Sequence, residues 1–369
     1  MIINLKSQTD LSGFYIVYEG STNIEREGIY GISHLGEHLM CKAYEHLQNE
    51  FERYGIMWNA YTSSNEIVFY FTGLDEYVSK YRDIVVDLLN NFMPSEEQFT
   101  NEKRIVIEEY KDCFNDQVTS HYLNLSRKLF GDYDPIGSLQ DLESMTYQDM
   151  VDFVNIQYKR PSKIINVSKH SDFNSNIDFN TTQIDRTIEY GNHDVVLELN
   201  NEFKDKSSVI FLSPVIENEF NYILFICEML SSGLQSPLYQ EVREKRGLTY
   251  NISSNINRIC NKGMIAISVQ TTNSKVDELI DTVRLVLDNP ETYLTQERFD
   301  NVKDGMVVRR KKAEINRYNN VSRWLNSAEW DVYEILEGLT LDKIKEIYSK
   351  HFNNFYVSVD KLEFVLNKI

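Results

Sequence analysis

The sequence has no long apolar run and few cysteines. No stretch approaches the roughly 18 apolar residues that a transmembrane helix needs, and the first ten residues offer neither the basic region nor the apolar core of a signal peptide. The four cysteines among the 369 residues have no Cys-x-x-Cys spacing. We therefore expect free thiols in a reducing cytoplasm and no membrane partner.

Basic residues are also scarce relative to acidic ones. The chain has 38 lysines and arginines against 56 aspartates and glutamates, which gives a formal net charge of −18. Because nucleic acids attract basic surfaces, this balance argues against a nucleic-acid partner. Hydrophobic residues make up 42% of the chain. That share is enough for two cores in a chain too long for a single ordinary one.

The stretch GISHLGEHLM has two histidines and a glutamate, His34, Glu37 and His38, at the spacing His-x-x-Glu-His. In a helix, His38 lies about 40° round from His34 and Glu37 lies about 60° to the other side, so the three side chains project together. Two imidazoles one turn apart can bind one zinc ion, and the glutamate can take a proton from a water molecule. The spacing is the inverted form of the commoner zinc-protease motif. It also arises by chance on solvated helices.

A catalytic zinc site needs a third protein ligand, and the segment NEKRIVIEEYKDC offers two carboxylates for it. Glu102 and Glu109 are two helical turns apart and are predicted to share an apolar face with Ile105, Val106 and Cys113. The opposite, solvent-facing side is predicted to carry Asn101, Arg104, Glu108 and Lys111. A carboxylate on an apolar face is costly unless it is paired or binds a metal. This helix is therefore expected to supply the missing ligand.

Four blocks of the chain resemble, in order and spacing, the inverzincin zinc metallopeptidases of the pitrilysin, insulin-degrading enzyme and mitochondrial processing peptidase superfamily (peptidase family M16). The resemblance is closest to the short-chain, two-domain branch and covers nearly the whole sequence. It implies a zinc-dependent endopeptidase that hydrolyses peptides or unfolded polypeptide segments inside a chamber formed by a dimer. The blocks are GISHLGEHLM, GIMWNAYTSSNEIVFYF, NEKRIVIEEYKD and PLYQEVREKRGLTYNISS.

The resemblance also implies roles for individual residues. One zinc ion per chain would be bound by His34, His38 and Glu109. Glu37 would be the general base, and Glu102 would be a second acid that supports the site.

Further residues are assigned to the substrate. Asn59 and Ala60 match the edge strand that a substrate peptide extends. Arg243 and Tyr250 match a pair that holds the substrate and polarises the scissile carbonyl; without the resemblance, Arg243 would read as a solvated charge in the run REKR. The dipeptide Arg246-Gly247 predicts a helix end with a glycine cap, and Tyr250 is predicted to begin a strand. The expected assembly is a homodimer, or a heterodimer with a related chain, in which each site combines zinc from one chain with Arg243 from the other.

The sequence contains an internal duplication. SEEQFTNEKRIVIEEYK near 95–111 aligns with TQERFDNVKDGMVVRRK near 295–311. In that register Glu109 falls opposite Arg309 and Glu102 falls opposite Val302, so the second copy is predicted to have lost the metal chemistry. One strand-helix pair and one helix-strand pair also occur twice, in the same order in each half. The helix in NYILFICEMLSSG takes the place of the zinc helix.

The predicted fold class is α+β, with two homologous domains, each a mostly antiparallel sheet with helices packed on one face. We predict a zinc-binding catalytic domain at 1–172, a polar linker at 173–188, and a second domain without metal ligands at 189–369. Two other functions stay open. One is a catalytically silent family member that acts as a binding or partner subunit, and the other is a metal-dependent amidase for small molecules.

Overall fold

The computed structural model describes residues 1–131, 134–180, 205–215, 219–259, 262–315, 321, 335–353, 355–360 and 367–368. The chain divides into two units that are not contiguous in the sequence. The first comprises Met1–Asp112, Gly131–Thr187 and Lys311–Glu329, and the second comprises Cys113–Phe130, Ile188–Arg310 and Trp330–Ile369. Of the predicted linker, 173–180 has neither helix nor strand and 181–188 lies outside the described residues. None of the helices in the described ranges combines the length and apolar character of a membrane span.

The described residues of the first half of the chain form five strands and seven α-helices. The strands are β1 (Ile2–Lys6), β2 (Leu11–Glu19), β3 (Met57–Thr62), β4 (Glu66–Leu74) and β5 (Lys163–Ser168). The helices are α1 (Ile32–Cys41), α2 (Gln48–Tyr54), α3 (Asp75–Asn91), α4 (Glu96–Asn115), α5 (Gln117–Phe130), α6 (Leu139–Ser144) and α7 (Tyr147–Gln157). Short 3₁₀ helices cover Ser21–Ile24 and Lys42–Leu47.

The second half repeats this pattern. Its strands are β6 (Lys206–Val215), β7 (Ile252–Ile259), β8 (Lys262–Thr272), β9 (Tyr356–Val359) and β10 (Asn367–Lys368). Its described helices are α8 (Phe220–Ser231), α9 (Val276–Leu287), α10 (Pro290–Tyr293), α11 (Gln296–Ile315) and α12 (Leu341–His351), with a π-helical turn at Tyr239–Glu244 and a 3₁₀ turn at Asn273–Lys275.

The two sheets confirm the predicted fold class and are consistent with the duplication. The order is β1-β5-β2-β4-β3 in the first unit and β10-β9-β6-β8-β7 in the second. All neighbours are antiparallel except β1, which runs parallel to β5. The predicted pairs β4–α3 and β8–α9 follow one another as strand and helix, and α7–β5 and α12–β9 as helix and strand.

The central strand β2 is buried on both faces because its apolar residues are nearly continuous. Phe14 packs with Phe71 and Phe173 on one face. On the other face Tyr15 and Val17 belong to a separate apolar cluster. That cluster includes Val321, which comes from the second half of the sequence, so a distant segment contributes to this core.

Helix α5 comes from the first half of the sequence but belongs to the second unit. His121 of α5 is 3% exposed, and its Nδ1 and Nε2 lie 3.0 Å and 2.9 Å from the hydroxyls of Ser208 and Ser358. Those serines alternate with Val209 and Val357, which face the core containing α8, α9 and α12. Because side chains alternate along a strand, α5 covers the opposite face of this sheet.

We expect His121 to make the stability of the second unit depend on pH. Burial lowers the pKa of this imidazole from 6.5 to about 4. Between these values the unfolded chain takes up a proton that the folded chain does not, so acidification favours unfolding. Wild type should lose about 2 kcal/mol more unfolding free energy between pH 7 and pH 5 than His121→Gln, by urea titration. The exposed His170→Gln is the control; equal pH slopes for His121→Gln and wild type would contradict the prediction.

Candidate metal and peptidase site

The helix that carries the histidine motif begins at a backbone turn held by two buried carboxylates. Glu25 accepts hydrogen bonds from the backbone N–H groups of Gly31 (2.9 Å) and Ser33 (2.8 Å). Asp141 accepts from those of Gly28 and Tyr30, each at 3.0 Å. Gly31 has φ 95°, a left-handed conformation that favours glycine. These hydrogen bonds therefore fix the start of α1, the turn from which His34 projects.

Gly36 lets α1 approach its neighbours closely. A Cβ atom at this position would lie 3.1 Å from the Tyr158 ring and 3.2 Å from the Phe153 ring. A larger residue would press on both rings, so this glycine has a packing role inside the helix. Because Ile32, Leu35 and Leu39 are buried on the same helix, the polar motif residues are turned to the other side.

The structure brings His34, His38 and Glu109 together. His34 Nε2 and His38 Nε2 lie 3.6 Å and 3.4 Å from the Glu109 carboxylate, and the two imidazole rings are 4.8 Å apart and nearly perpendicular. One ligand atom from each of the three residues lies within 4.8 Å of the others. Within the described ranges, this is the one group of three or more His, Cys, Asp or Glu residues with such spacing.

This donor set fits a zinc ion. Two imidazoles and one carboxylate are a ligand set found in catalytic zinc sites, where the fourth position is kept for water or substrate. Burial, with a contribution from His38, lowers the pKa of His34 to about 4. The neutral imidazole that results is the form that binds metals. Glu109 brings a negative charge that offsets part of the charge of the cation.

A second carboxylate lies beside the far nitrogen of one histidine. Glu102 is 6% exposed, and its Oε2 lies 3.4 Å from His38 Nδ1. Its other oxygen lies 3.0 Å from Lys42 Nζ, which also lies 3.0 Å from Glu45. A carboxylate at the far nitrogen of a metal-binding histidine fixes the tautomer and the ring orientation. Sequence reasoning missed Lys42, because nothing in the local pattern links it to Glu102.

The predicted faces of α4 are partly wrong. Ile105 is 42% exposed, not buried, and the buried residues near it are Glu102, Val106 and Tyr110. The Glu109 side chain is 44% exposed. Seven residues advance a helix by slightly less than two turns, so Glu109 lies at the rim of the buried face that Glu102 shares. Glu108 is on the solvent side as predicted, where it pairs with Lys111.

Glu37 is hydrogen bonded to the end of the edge strand. The Thr62 hydroxyl of β3 donates to Glu37 Oε2 at 2.8 Å. Burial raises the pKa of Glu37, while this hydrogen bond and His38 oppose the increase. Thr62 is 25 residues from Glu37 and carries no motif, so sequence reasoning did not identify it. The hydroxyl limits the positions available to the carboxylate.

Asn59 and Ala60 lie on β3, which is the last strand of its sheet. β3 pairs with β4 on one side, where Asn59 faces Tyr70 and Ala60 faces Phe69. In the described structure no strand pairs with its other side. An edge of this kind offers backbone N–H and C=O groups to an added strand.

Arg243 and Tyr250 lie close together in the second unit. The Arg243 guanidinium lies over the Tyr250 ring at 4.5 Å and over the Tyr239 ring at 4.7 Å. Tyr250 is 81% exposed. It does not begin a strand as predicted, because β7 starts at Ile252. The predicted glycine cap is confirmed, since Gly247 has φ 59° and follows the π-helical turn. Tyr239 is a ring partner of Arg243 that sequence reasoning missed.

In the second copy, an ion pair replaces the carboxylate and histidines. Arg309, which aligns with Glu109, lies 2.8 Å from Glu228. Glu228 lies on α8, the helix that takes the place of α1. In the second unit, no group of three metal-binding side chains occurs among the described residues.

Two family models match this chain. Residues 6–133 match the model described as insulinase (peptidase family M16), and residues 144–306 match the model described as the peptidase M16 inactive domain. Among curated proteins, a relative from Rickettsia felis named an uncharacterized zinc protease is 21% identical over 367 residues, covering 91% of this chain and 88% of the relative. A relative from Bacillus subtilis, named uncharacterized zinc protease YmxG, is 24% identical over 317 residues, covering 76% of this chain and 74% of the relative.

Solved structures share the fold. A protease from Helicobacter pylori has a TM-score of 0.82 at 16% identity and covers 97% of this chain and 96% of its own. The peptidase M16 inactive domain from Pseudomonas fluorescens has a TM-score of 0.74 at 14% identity, with 97% and 94% covered.

Proposed function

Because the chain belongs to peptidase family M16, we propose that it is a zinc-dependent endopeptidase that hydrolyses peptides or unfolded polypeptide segments in a chamber formed by a dimer. The observation that carries this proposal is the meeting of His34, His38 and Glu109 beside the half-buried carboxylate of Glu37. Elemental analysis for zinc, together with mass spectrometry of digests from a diverse peptide mixture, tests it directly.

The proposed mechanism assigns each side chain one task. His34, His38 and Glu109 would hold a zinc ion, which would supply Lewis acidity and lower the pKa of a water molecule. Glu37, held by Thr62, takes a proton from water as the scissile carbonyl is attacked and then delivers it to the leaving amine. Glu102 keeps His38 in the orientation that its binding nitrogen requires.

The substrate peptide is proposed to extend the first sheet at β3, beside Asn59 and Ala60. Backbone hydrogen bonds would then supply affinity with little dependence on sequence. Arg243 and Tyr250 are proposed to donate hydrogen bonds to the developing oxyanion. Stacking against Tyr239 and Tyr250 restricts the guanidinium, which lowers the entropy lost when it binds.

The rival functions make different predictions. A silent partner subunit needs neither a complete ligand set nor a base, whereas this chain has His34, His38, Glu109 and Glu37 in one place. A panel of fluorogenic peptides separates a peptidase from an amidase for small molecules. The cytoplasmic location expected from the cysteines stays a prediction.

We expect Thr62→Val to lower kcat while leaving the zinc content unchanged. Valine keeps the shape of threonine but removes the hydroxyl that donates to Glu37, so the carboxylate loses one constraint on its position. A lost hydrogen bond to a charged group costs about 1.5 to 3 kcal/mol, or roughly 10-fold to 100-fold in kcat. Thr62→Ser should restore most of the activity. A valine variant with unchanged kcat would show that Thr62 does not position Glu37.

A homodimer with shared sites is proposed because the zinc ligands and Arg243 are both present in this chain. Inactive Glu37→Gln chains mixed with inactive Arg243→Ala chains should regain activity after subunit exchange. Random exchange makes half the dimers mixed, each with one whole site, so about a quarter of wild-type activity should return. A mixture that stays inactive despite measured exchange would rule out the shared site.

A further inference from the structure

A cavity of 440 Å³ lies where α2 meets the start of β3. Phe51, Ile56 and Trp58 provide much of its apolar lining, and Phe51 and Ile56 are buried. Met57, which is 66% exposed, also lines it. The polar side chains Gln48 and Glu52 contribute as well. Pockets that bind apolar groups combine such a lining with a few polar atoms.

The cavity lies along β3, the strand whose last residue, Thr62, is hydrogen bonded to the proposed base Glu37. Thr62, which holds Glu37, is four residues from Trp58, a distance of about 13 Å along an extended strand. Residues an even number apart on a strand point to the same face, so Trp58 and Thr62 point to the face that contacts the helical layer. Trp58 indeed packs against Tyr44, at a ring separation of 5.4 Å.

We propose that this cavity is a substrate subsite that receives a large apolar or aromatic side chain, three to five residues from the cleaved bond. The inference rests on the proposed function, because a peptide added to the free edge of β3 would be cleaved near Glu37 and pass the cavity about four residues away. Aromatic rings in the lining favour such a side chain through apolar burial and ring contacts. Strand pairing through backbone hydrogen bonds has little sequence preference, and this subsite would supply one.

The test begins with mass spectrometry of wild-type digests of a diverse peptide mixture. Phe, Trp, Leu or Met should be enriched at one position three to five residues from the cleaved bond. Two peptides are then compared that differ only at that position, one with Phe and one with Ser. The Phe peptide should have a kcat/KM roughly tenfold or more above that of the Ser peptide.

Met57→Asp and Gln48→Trp provide the matched variants. The aspartate places a charge beside the cavity and the tryptophan fills it, so both should bring the ratio of kcat/KM for the Phe peptide to kcat/KM for the Ser peptide close to one. Ile156→Asp is the control, because Ile156 is an equally accessible apolar residue at 74% exposure on α7.

The outcomes separate the two proposals. Peptide cleavage without a preference at any of these positions, or with a preference for Lys or Arg through Glu52, would overturn the subsite and leave the endopeptidase standing. A preference that survives both variants would also overturn it. A zinc-loaded wild type that cleaves no peptide would overturn the proposed function itself.

Discussion

Replacing Glu37 with Gln should abolish peptide hydrolysis while the bound zinc remains. The amide keeps the shape of the carboxylate and can still accept the Thr62 hydrogen bond, but it cannot take a proton from water. General-base catalysis contributes about 10²-fold to 10⁴-fold, so kcat should fall by at least the lower figure. The measurements are kcat on a fluorogenic peptide and zinc per chain by elemental analysis.

Glu27→Gln is the control for this variant, because Glu27 is an exposed acid that precedes the same helix. It should leave both zinc content and kcat unchanged. A Glu37→Gln chain that loses its zinc would show that Glu37 is a ligand. One that retains full activity would show that another group takes the proton.

Replacing Glu109 with Gln should weaken zinc binding sharply, whereas Glu108→Gln should leave it unchanged. Glu109 faces both His34 and His38, while the adjacent Glu108 faces solvent and pairs with Lys111. The amide removes the negative charge that the cation requires. Removing a residue that only hydrogen bonds to a metal ligand lowers metal affinity by about 10-fold to 100-fold. Removing the charge of a ligand itself should lower zinc affinity by more than that.

The measurement for this pair is zinc affinity by competition with a chelator, followed by kcat at saturating zinc. The adjacent positions make Glu108→Gln a matched control for charge and for helix propensity. Equal losses of zinc from the two variants would show that the assignment of ligand and solvent sides on α4 is wrong.

The family resemblance and the fold class could be predicted because both depend on short, ordered patterns. The His-x-x-Glu-His spacing, the two acids of α4 and the repeated strand-helix pairs are read directly from residue order, and the family models and the sheet topology confirm the conclusions drawn from them. The roles of individual site residues stay predictions until the variants above are measured.

The error at Ile105 has a physical cause. The prediction treats a seven-residue spacing as two full turns and assigns Ile105 and Val106, which lie between the two acids, to their face. The helix turns slightly less than that, and the neighbouring elements bury Val106 and Tyr110 while Ile105 is left 42% exposed. Periodicity therefore predicted the helix but not the width of its buried face.

The error in the predicted start of β7, which begins at Ile252, also has a physical cause. The local pattern after Gly247 predicts that Tyr250 begins a strand, but the left-handed Gly247 ends the preceding turn and the pairing with β8 begins only at Ile252. Tyr250 therefore lies before the strand, where it is exposed and contacts Arg243. Strand ends depend on where the partner strand begins, and a single sequence does not contain that information.

By itself, the sequence determined the α+β fold class, the repeated strand-helix and helix-strand pairs, and which side of α1 carries His34, Glu37 and His38. These features follow from spacing within one or two turns, where local geometry leaves few alternatives. Only the tertiary structure decided the contacts between distant segments. It placed Thr62 on Glu37 and Lys42 on Glu102, and it assigned Cys113–Phe130 to the second unit. Contacts of this kind depend on which surfaces are buried together, and residue order does not specify that pairing.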